Sequence, residues 1–346
     1  MTDKISVLDT RIREYCKKNH IFGMLRITVK DEIRYEGAYG YSDLENEIPF
    51  TNKSLFTLYS MSKPFCILGL LKLYDKGLIK LDEHPSLYLP EASGLDPRVT
   101  VRHLLHHISG LPDFEQNKDF CEKYRSGPPH LMREHLKLIA DYPMCFEPGT
   151  AGKYANINII IAALIIENVS GLPYAEYMRS EVFVPLGMKG AAVDNPTLVI
   201  ADRVQGYDLA GGKPVRVDKS YDWLLGAGDI IATVDDVYAL NLAIKNKLLL
   251  REETWRAALT PTNIYPFGMG SHISLWHGKP RITHNGGHTG FRTLHIQLPE
   301  DDFDIIFLSN SGYGDARNEI SEMIFEAFYD KSDAPSDKVE MDKGYI

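Results

Sequence analysis

The chain has 346 residues, 44% hydrophobic and 25% charged, a composition of soluble globular proteins at a length suited to two subdomains or one large composite. Its formal net charge of −9, with no basic tract, excludes nucleic acid and an anionic membrane surface as partners. The four cysteines, Cys16, Cys66, Cys121 and Cys145, form neither a C-x-x-C nor a zinc pattern, so they read as free buried thiols, and no metal or cofactor is implied.

The N-terminus lacks the apolar core of a signal peptide, which points to a cytoplasmic protein. Ile5, Leu8, Ile12 and Tyr15 recur at helical spacing and predict an amphipathic first helix. Met24–Val29 and Ile33–Ala38 read as a hairpin around a polar turn at Lys30-Asp31-Glu32. A long apolar helix begins near Ser60 and stops at Gly77; Pro64 is tolerated in its first turn, where a backbone donor is not needed. From there to about Lys219 the chain reads as helices joined by Pro/Gly-rich loops, with little strand pattern. The most apolar stretch, Ile157 to Ile166, is interrupted by Asn158 and is too short to span a bilayer.

Strand character returns in Ser271–Trp276, Arg281–Gly286, Phe291–Leu298 and Phe303–Leu308. Asp315–Tyr329 closes the chain as a helix with Ile320, Met323, Ile324, Ala327 and Phe328 on one face, and 331–346 reads as a frayed polar tail. This order predicts an α/β fold of the α+β type. An antiparallel sheet drawn from 1–60 and 225–330 is flanked by the terminal helices, and a helical region, 61–224, is inserted.

Ser60-Met61-Ser62-Lys63 sets a hydroxyl and an amine three residues apart on one helix face. A serine hydroxyl is a weak nucleophile until a base takes its proton, and a lysine entering a buried helix is costly without a partner or a task. Ser62 adjoins Lys63 and points about 100° away, so Ser60 is the candidate nucleophile. His103, His106 and His107 cluster in sequence, but no carboxylate or cysteine set completes a metal site around them.

The segment Leu55–Phe65 resembles the nucleophile segment of the serine β-lactamase and penicillin-binding-protein superfamily, in the branch of class C β-lactamases, carboxylesterases and D-aminopeptidases. Tyr154-Ala155-Asn156 resembles its Tyr-x-Asn element, and His284-Asn285-Gly286 its Lys/His-x-Gly strand motif. The connecting segments Val99–Pro112, Phe146–Thr150 and Val182–Met188 match as well, so the resemblance runs from about Phe22 to about Phe328. It implies the β-lactamase/transpeptidase-like fold and a serine hydrolase working through an acyl-Ser60 intermediate on a small ester or amide. Lys63 and Tyr154 would share the proton work, with either as the base. Asn156, His284 and Gly286 would bind substrate, and the backbone N–H groups of Ser60 and Gly287 would form the oxyanion hole.

His284 stands where class C β-lactamases carry a lysine. A histidine with its ordinary pKa near ~6.5 would titrate around neutrality and hold a substrate carboxylate only below that pH. His288-Thr289-Gly290 imitates the motif, but the glycine–aromatic pair Gly290-Phe291 keeps family spacing only from Gly286, so His288 and His295 read as ordinary polar or core histidines. β-Lactamase, D-Ala-D-Ala carboxypeptidase and acyltransferase activities, or a catalytically silent ligand-binding relative, are the competing readings. The partner is a small ester, amide or β-lactam-like molecule. The loops around Asp113–His130 and Tyr207–Trp223, which would select it, carry no readable code.

Overall fold

The computed structural model describes residues 2–113, 133, 136, 139–195, 198–217 and 224–329. It opens with helix α1 (Thr2–Asn19), strands β1 (Gly23–Val29) and β2 (Glu32–Tyr39), and the short strands β3 (Tyr41–Asp43), β4 (Ile48–Pro49) and β5 (Phe56–Thr57). A 3-10 turn at Tyr59–Ser62 leads into α2 (Lys63–Asp75), followed by α3 (Val101–Leu105), α4 (Asn156–Ser170) and α5 (Tyr174–Met178). Strands β6 (Ala192–Val193), β7 (Tyr207–Ala210), β8 (Lys213–Arg216) and β9 (Ile230–Ala232) precede helices α6 (Val234–Asn246) and α7 (Glu252–Ala258). The chain then runs through β10 (His272–Trp276), β11 (Lys279–His288), β12 (Phe291–Leu298), β13 (Phe303–Ser309) and α8 (Arg317–Phe328).

The main sheet is antiparallel with strand order β10-β11-β12-β13-β1-β2, so the N-terminal hairpin completes a meander built from the C-terminal part of the chain. Side chains alternate across a strand, and the two faces accordingly enter different cores. Leu25, Ile27, Ile305 and Phe307 pack with Leu8 and Ile12 of α1 and Ile320 and Ile324 of α8. Met24, Ile306 and Leu308 join a larger core around α2 and α4. Helix α4 is buried without a break from Asn156 to Ile166, as an apolar surface on all sides requires, and it ends at Gly171 in the left-handed conformation (φ 72°). Among the described residues no single helix is long and apolar enough to cross a membrane.

Several local features differ from the sequence expectation. The first hairpin turns on two residues, Lys30 and Asp31, both at positive φ (53° and 61°), so Glu32 already belongs to β2. The stretch read as helices and loops contains β6, β7 and β8. Strands β7 and β8 form a hairpin on Gly211-Gly212 (φ 58° and 76°), a turn signal that the shortness and exposure of the flanking strands masked. Cys16 and Cys66 are free and buried, whereas Cys145 is free and exposed, which corrects the expectation of burial for it. Cys121, the tail 331–346, and the parts 114–130 and 218–223 of the segments read as selecting loops at Asp113–His130 and Tyr207–Trp223 lie outside the described residues.

Candidate active site

Ser60 lies in the 3-10 turn that precedes α2, and Lys63 is the first residue of α2 itself. Tyr59, immediately before the nucleophile candidate, holds a left-handed backbone (φ 48°), a sparsely populated state for a bulky residue. Contacts from the sheet stabilise this bend. The Tyr59 hydroxyl donates to the Thr289 carbonyl at 2.9 Å, and the Thr293 hydroxyl donates to the Leu58 carbonyl at 2.9 Å. Ser62 faces away and is fully buried, its Oγ accepting the Ile230 N–H of β9 at 3.0 Å.

Lys63 is fully buried, and its Nζ donates to Ser60 Oγ at 2.9 Å and to the Ala227 carbonyl at 2.8 Å. A buried ammonium needs such acceptors to offset lost hydration. The turn that presents Ala227 is held by Asp229, whose Oδ2 accepts the Gly226 N–H at 2.9 Å; burial pushes this carboxyl up to about 7. Gly226 has φ 70°, and a Cβ there would meet Cys66 Sγ at 2.7 Å and Ala163 Cβ at 2.8 Å, so only glycine lets the turn approach α2 and α4.

Tyr154 lies just ahead of α4, with the Lys63 Nζ 4.8 Å from its ring centre. Its ring stacks on His107 (centroids 4.5 Å, 22°) and lies 6.4 Å from the His284 ring. Asn156 is the first residue of α4. The preceding residue, Ala155, provides no side-chain cap, and Asp113 accepts the Asn156 N–H at 2.6 Å instead. A carboxylate at this position satisfies an orphan donor and opposes the positive end of the helix.

His284 lies on β11 and is 5% exposed. Its Nδ1 is 2.7 Å from the Asn285 carbonyl, which can only accept, so Nδ1 carries the proton. Burial and the nearby Lys63 push the ring down to about 3. The expectation of titration around neutrality is thereby corrected: His284 is neutral, with Nε2 left as an acceptor, because desolvation and a neighbouring cation both oppose its charge. Gly286 lies on the same strand, against the segment that carries Ser60. A Cβ there would lie 2.0 Å from the Leu58 carbonyl oxygen, so glycine at this position admits the backbone of the nucleophile segment. Gly287 pairs with Arg292 across the β11–β12 ladder.

The structure thus brings Ser60, Lys63, Tyr154 and His284 together from the 3-10 turn, α2, the entry to α4 and β11. The other histidines separate from one another. His103 completes a capping box with Thr100 at the start of α3, and His106 Nδ1 donates to the Phe267 carbonyl at 2.9 Å. His288 Nδ1 accepts the Thr289 N–H at 2.8 Å, and His295 is buried opposite His284 in the ladder. Four neighbours of the site were not singled out in the sequence: Asp113, Ala227, Asp229 and Phe267. The buried Phe267 ring meets both Tyr154 (5.8 Å) and His284 (6.3 Å). Asp113 directly follows the matching segment Val99–Pro112, a positional hint; Phe267 carries no sequence signal.

A family model described as Beta-lactamase matches residues 8–327. The chain is 27% identical over 359 aligned positions to Penicillin-binding protein 4* of Bacillus subtilis (strain 168), covering 96% of this chain and 78% of that protein. It is 24% identical to the D-aminopeptidase of Gluconobacter oxydans (strain 621H), covering 83% of this chain and spanning 55% of that relative's length. Among solved structures it is similar to the D-amino acid amidase from Ochrobactrum anthropi SV3 complexed with D-phenylalanine, with a TM-score of 0.79, 25% identity, and coverage of 94% of this chain and 98% of that one.

Proposed function

Because the chain belongs to the Beta-lactamase family, we propose that it is a serine hydrolase that cleaves a small ester or amide through an acyl-Ser60 intermediate. The observation that carries this reading is the 2.9 Å contact between a fully buried Lys63 Nζ and Ser60 Oγ, with Tyr154 against the same amine. Ser60 Oγ attacks the substrate carbonyl carbon, and its proton passes to the Lys63–Tyr154 pair. The oxyanion is held by the backbone N–H groups of Ser60 and Gly287; donors of this kind are commonly worth ~3 kcal/mol each. The pair returns the proton to the departing alkoxide or amine, leaving acyl-Ser60. Water then attacks the acyl carbon, loses its proton to the same pair, and releases the acid as Ser60 recovers its hydrogen.

His284 bears on the substrate class. A neutral ring whose Nε2 accepts is a poor partner for a carboxylate and a good one for an amine or hydroxyl. This favours neutral or amine-bearing acyl donors, in keeping with the amide-cleaving relatives, over carboxylated β-lactams. A fluorophosphonate label followed by peptide mapping tests the nucleophile, and a panel of p-nitrophenyl esters, D-amino acid amides and nitrocefin tests the class. The label is expected on Ser60, and Ser60→Ala is expected to lower turnover by ~10³-fold or more in a folded protein. An adduct on Ser62 with Ser60 unmodified would refute the assignment.

A further inference from the structure

His107 is fully buried and holds a left-handed backbone (φ 56°), which a non-glycine residue adopts only when its surroundings impose it. It grips the segment around Tyr154 at three points. Its backbone carbonyl accepts the Lys153 N–H at 2.9 Å, its Nδ1 accepts the Ala155 N–H at 3.2 Å, and its ring lies flat against the Tyr154 ring at 4.5 Å. Residues on both sides of the tyrosine, and the tyrosine ring itself, are therefore tied to one side chain and its carbonyl.

The imidazole is itself held in one form. Ser109 Oγ donates to Asn158 Oδ1 at 2.7 Å, which turns the Asn158 amide nitrogen toward His107 Nδ1 at 3.2 Å. With two N–H groups directed at it, Nδ1 must be the unprotonated nitrogen, and the ring proton resides on Nε2. A second proton on this ring would break both bonds. Burial and the nearby cation of Lys63 oppose it as well.

We propose that His107 is a positioning residue that sets the place and plane of the Tyr154 phenol relative to Lys63 and Ser60. This rests on the reading of Tyr154 as part of the proton-transferring pair. His107 does not touch the reacting atoms; it acts through the tyrosine. Small displacements of such a group are costly, because proton transfer requires hydrogen-bond reach.

The test is a double-mutant cycle on the full chain, read as kcat, KM and the second-order rate of fluorophosphonate labelling. Two substitutions separate the contacts. His107→Phe keeps a ring beside Tyr154 but removes the acceptor for Ala155 and Asn158. His107→Asn keeps an acceptor near the Nδ1 position, suits a left-handed backbone, and removes the ring; it also preserves the test if the Phe variant does not fold. Each is expected to lower kcat by about tenfold with KM changed less than about threefold. The same substitution in a Tyr154→Phe background should cost nothing further, because the group acted upon is already gone. Lys63 and the neutral rings of His284 and His107 face the phenol; the pH profile of kcat, to which the phenol contributes as part of the proton-transferring pair, should move in the single His107 variants and not in the Tyr154→Phe background.

If the His107 variants lose the same factor in both backgrounds, or lose nothing in either, His107 does not act through Tyr154, and the inference fails while the acyl-Ser60 reading stands. If Tyr154→Phe alone keeps near-normal turnover while Ser60 is still labelled, tyrosine leaves the mechanism and the inference is overturned with it.

Discussion

His284 and His107 are buried on neighbouring sides of Tyr154, and opposite nitrogens carry their protons. In His284 the Asn285 carbonyl keeps the proton on Nδ1; in His107 the Ala155 and Asn158 donors keep it off Nδ1. The consequence for His284 is measurable. Its folded pKa is pushed down to about 3, so the ring gains charge only as pH falls toward that value and is neutral from pH 5 to 9. KM for carboxylated and neutral substrates should therefore show no divergence near pH 6.5 in the wild type. His284→Lys should restore a cation and lower KM for carboxylated substrates relative to neutral ones. A wild-type KM for carboxylated substrates that rises specifically through pH 6–7 would show that His284 is charged and would return it to the carboxylate role.

At the scale of elements, the site depends on how closely β11 approaches the 3-10 turn that bears Ser60. Gly286 permits that approach: the Cβ of an alanine would lie 2.0 Å from the Leu58 carbonyl oxygen and 2.5 Å from Thr293 Oγ1, the donor to that same carbonyl. Backbone cannot yield as a flexible side chain can, so either strand or turn must move. Gly286→Ala is expected to cost about 1–3 kcal/mol of stability, the usual penalty of overpacking, and at least about tenfold in the labelling rate of Ser60. Gly287→Ala is the control for stability alone, since the nearest atoms to its Cβ belong to the flexible Arg292 side chain, at 3.0 Å or more, whereas its N–H belongs to the proposed oxyanion hole. Thermal melts of the two variants, with the labelling rate of Gly286→Ala, check this; equal melts would remove the close approach as the reason for glycine.

At the scale of the whole molecule, helix α6 packs on the main sheet through a buried polar contact, with Asn241 Nδ2 donating to Asp304 Oδ1 at 2.9 Å. Burial pushes the Asp304 carboxyl up to about 7 from its ordinary 3.8, so the folded state binds its proton more tightly than the unfolded chain does. Such a group contributes stability below about pH 3.8 that is lost as pH rises through about 7. Asp304→Asn keeps an acceptor for Asn241 and removes the titration. The stability of the variant relative to wild type should therefore increase from pH 5 to pH 8. The buried histidines act with the opposite sign, losing stability as pH falls below 6.5, but they are common to both proteins and cancel in the difference. Denaturation curves at the two pH values measure it, and an unchanged difference would contradict the buried ionisation.

What the sequence determined by itself was what lies close along the chain or repeats with a fixed period. The i, i+3 relation of Ser60 and Lys63, the amphipathic first and last helices and the four C-terminal strands were legible because helix and strand periodicities are local. The order of three short motifs pointed to the family that the match over residues 8–327 shows. The β7–β8 hairpin was lost because its strands are too short and exposed for a period to register, although Gly211-Gly212 marked its turn. Tertiary structure alone decided the ionisation of His284, the grip of His107 on Tyr154, the capping of α4 by Asp113 and the steric reason for Gly286. Each depends on which groups from distant parts of the chain exclude water from a side chain or press against its backbone, and desolvation and close contact have no period that a sequence can display.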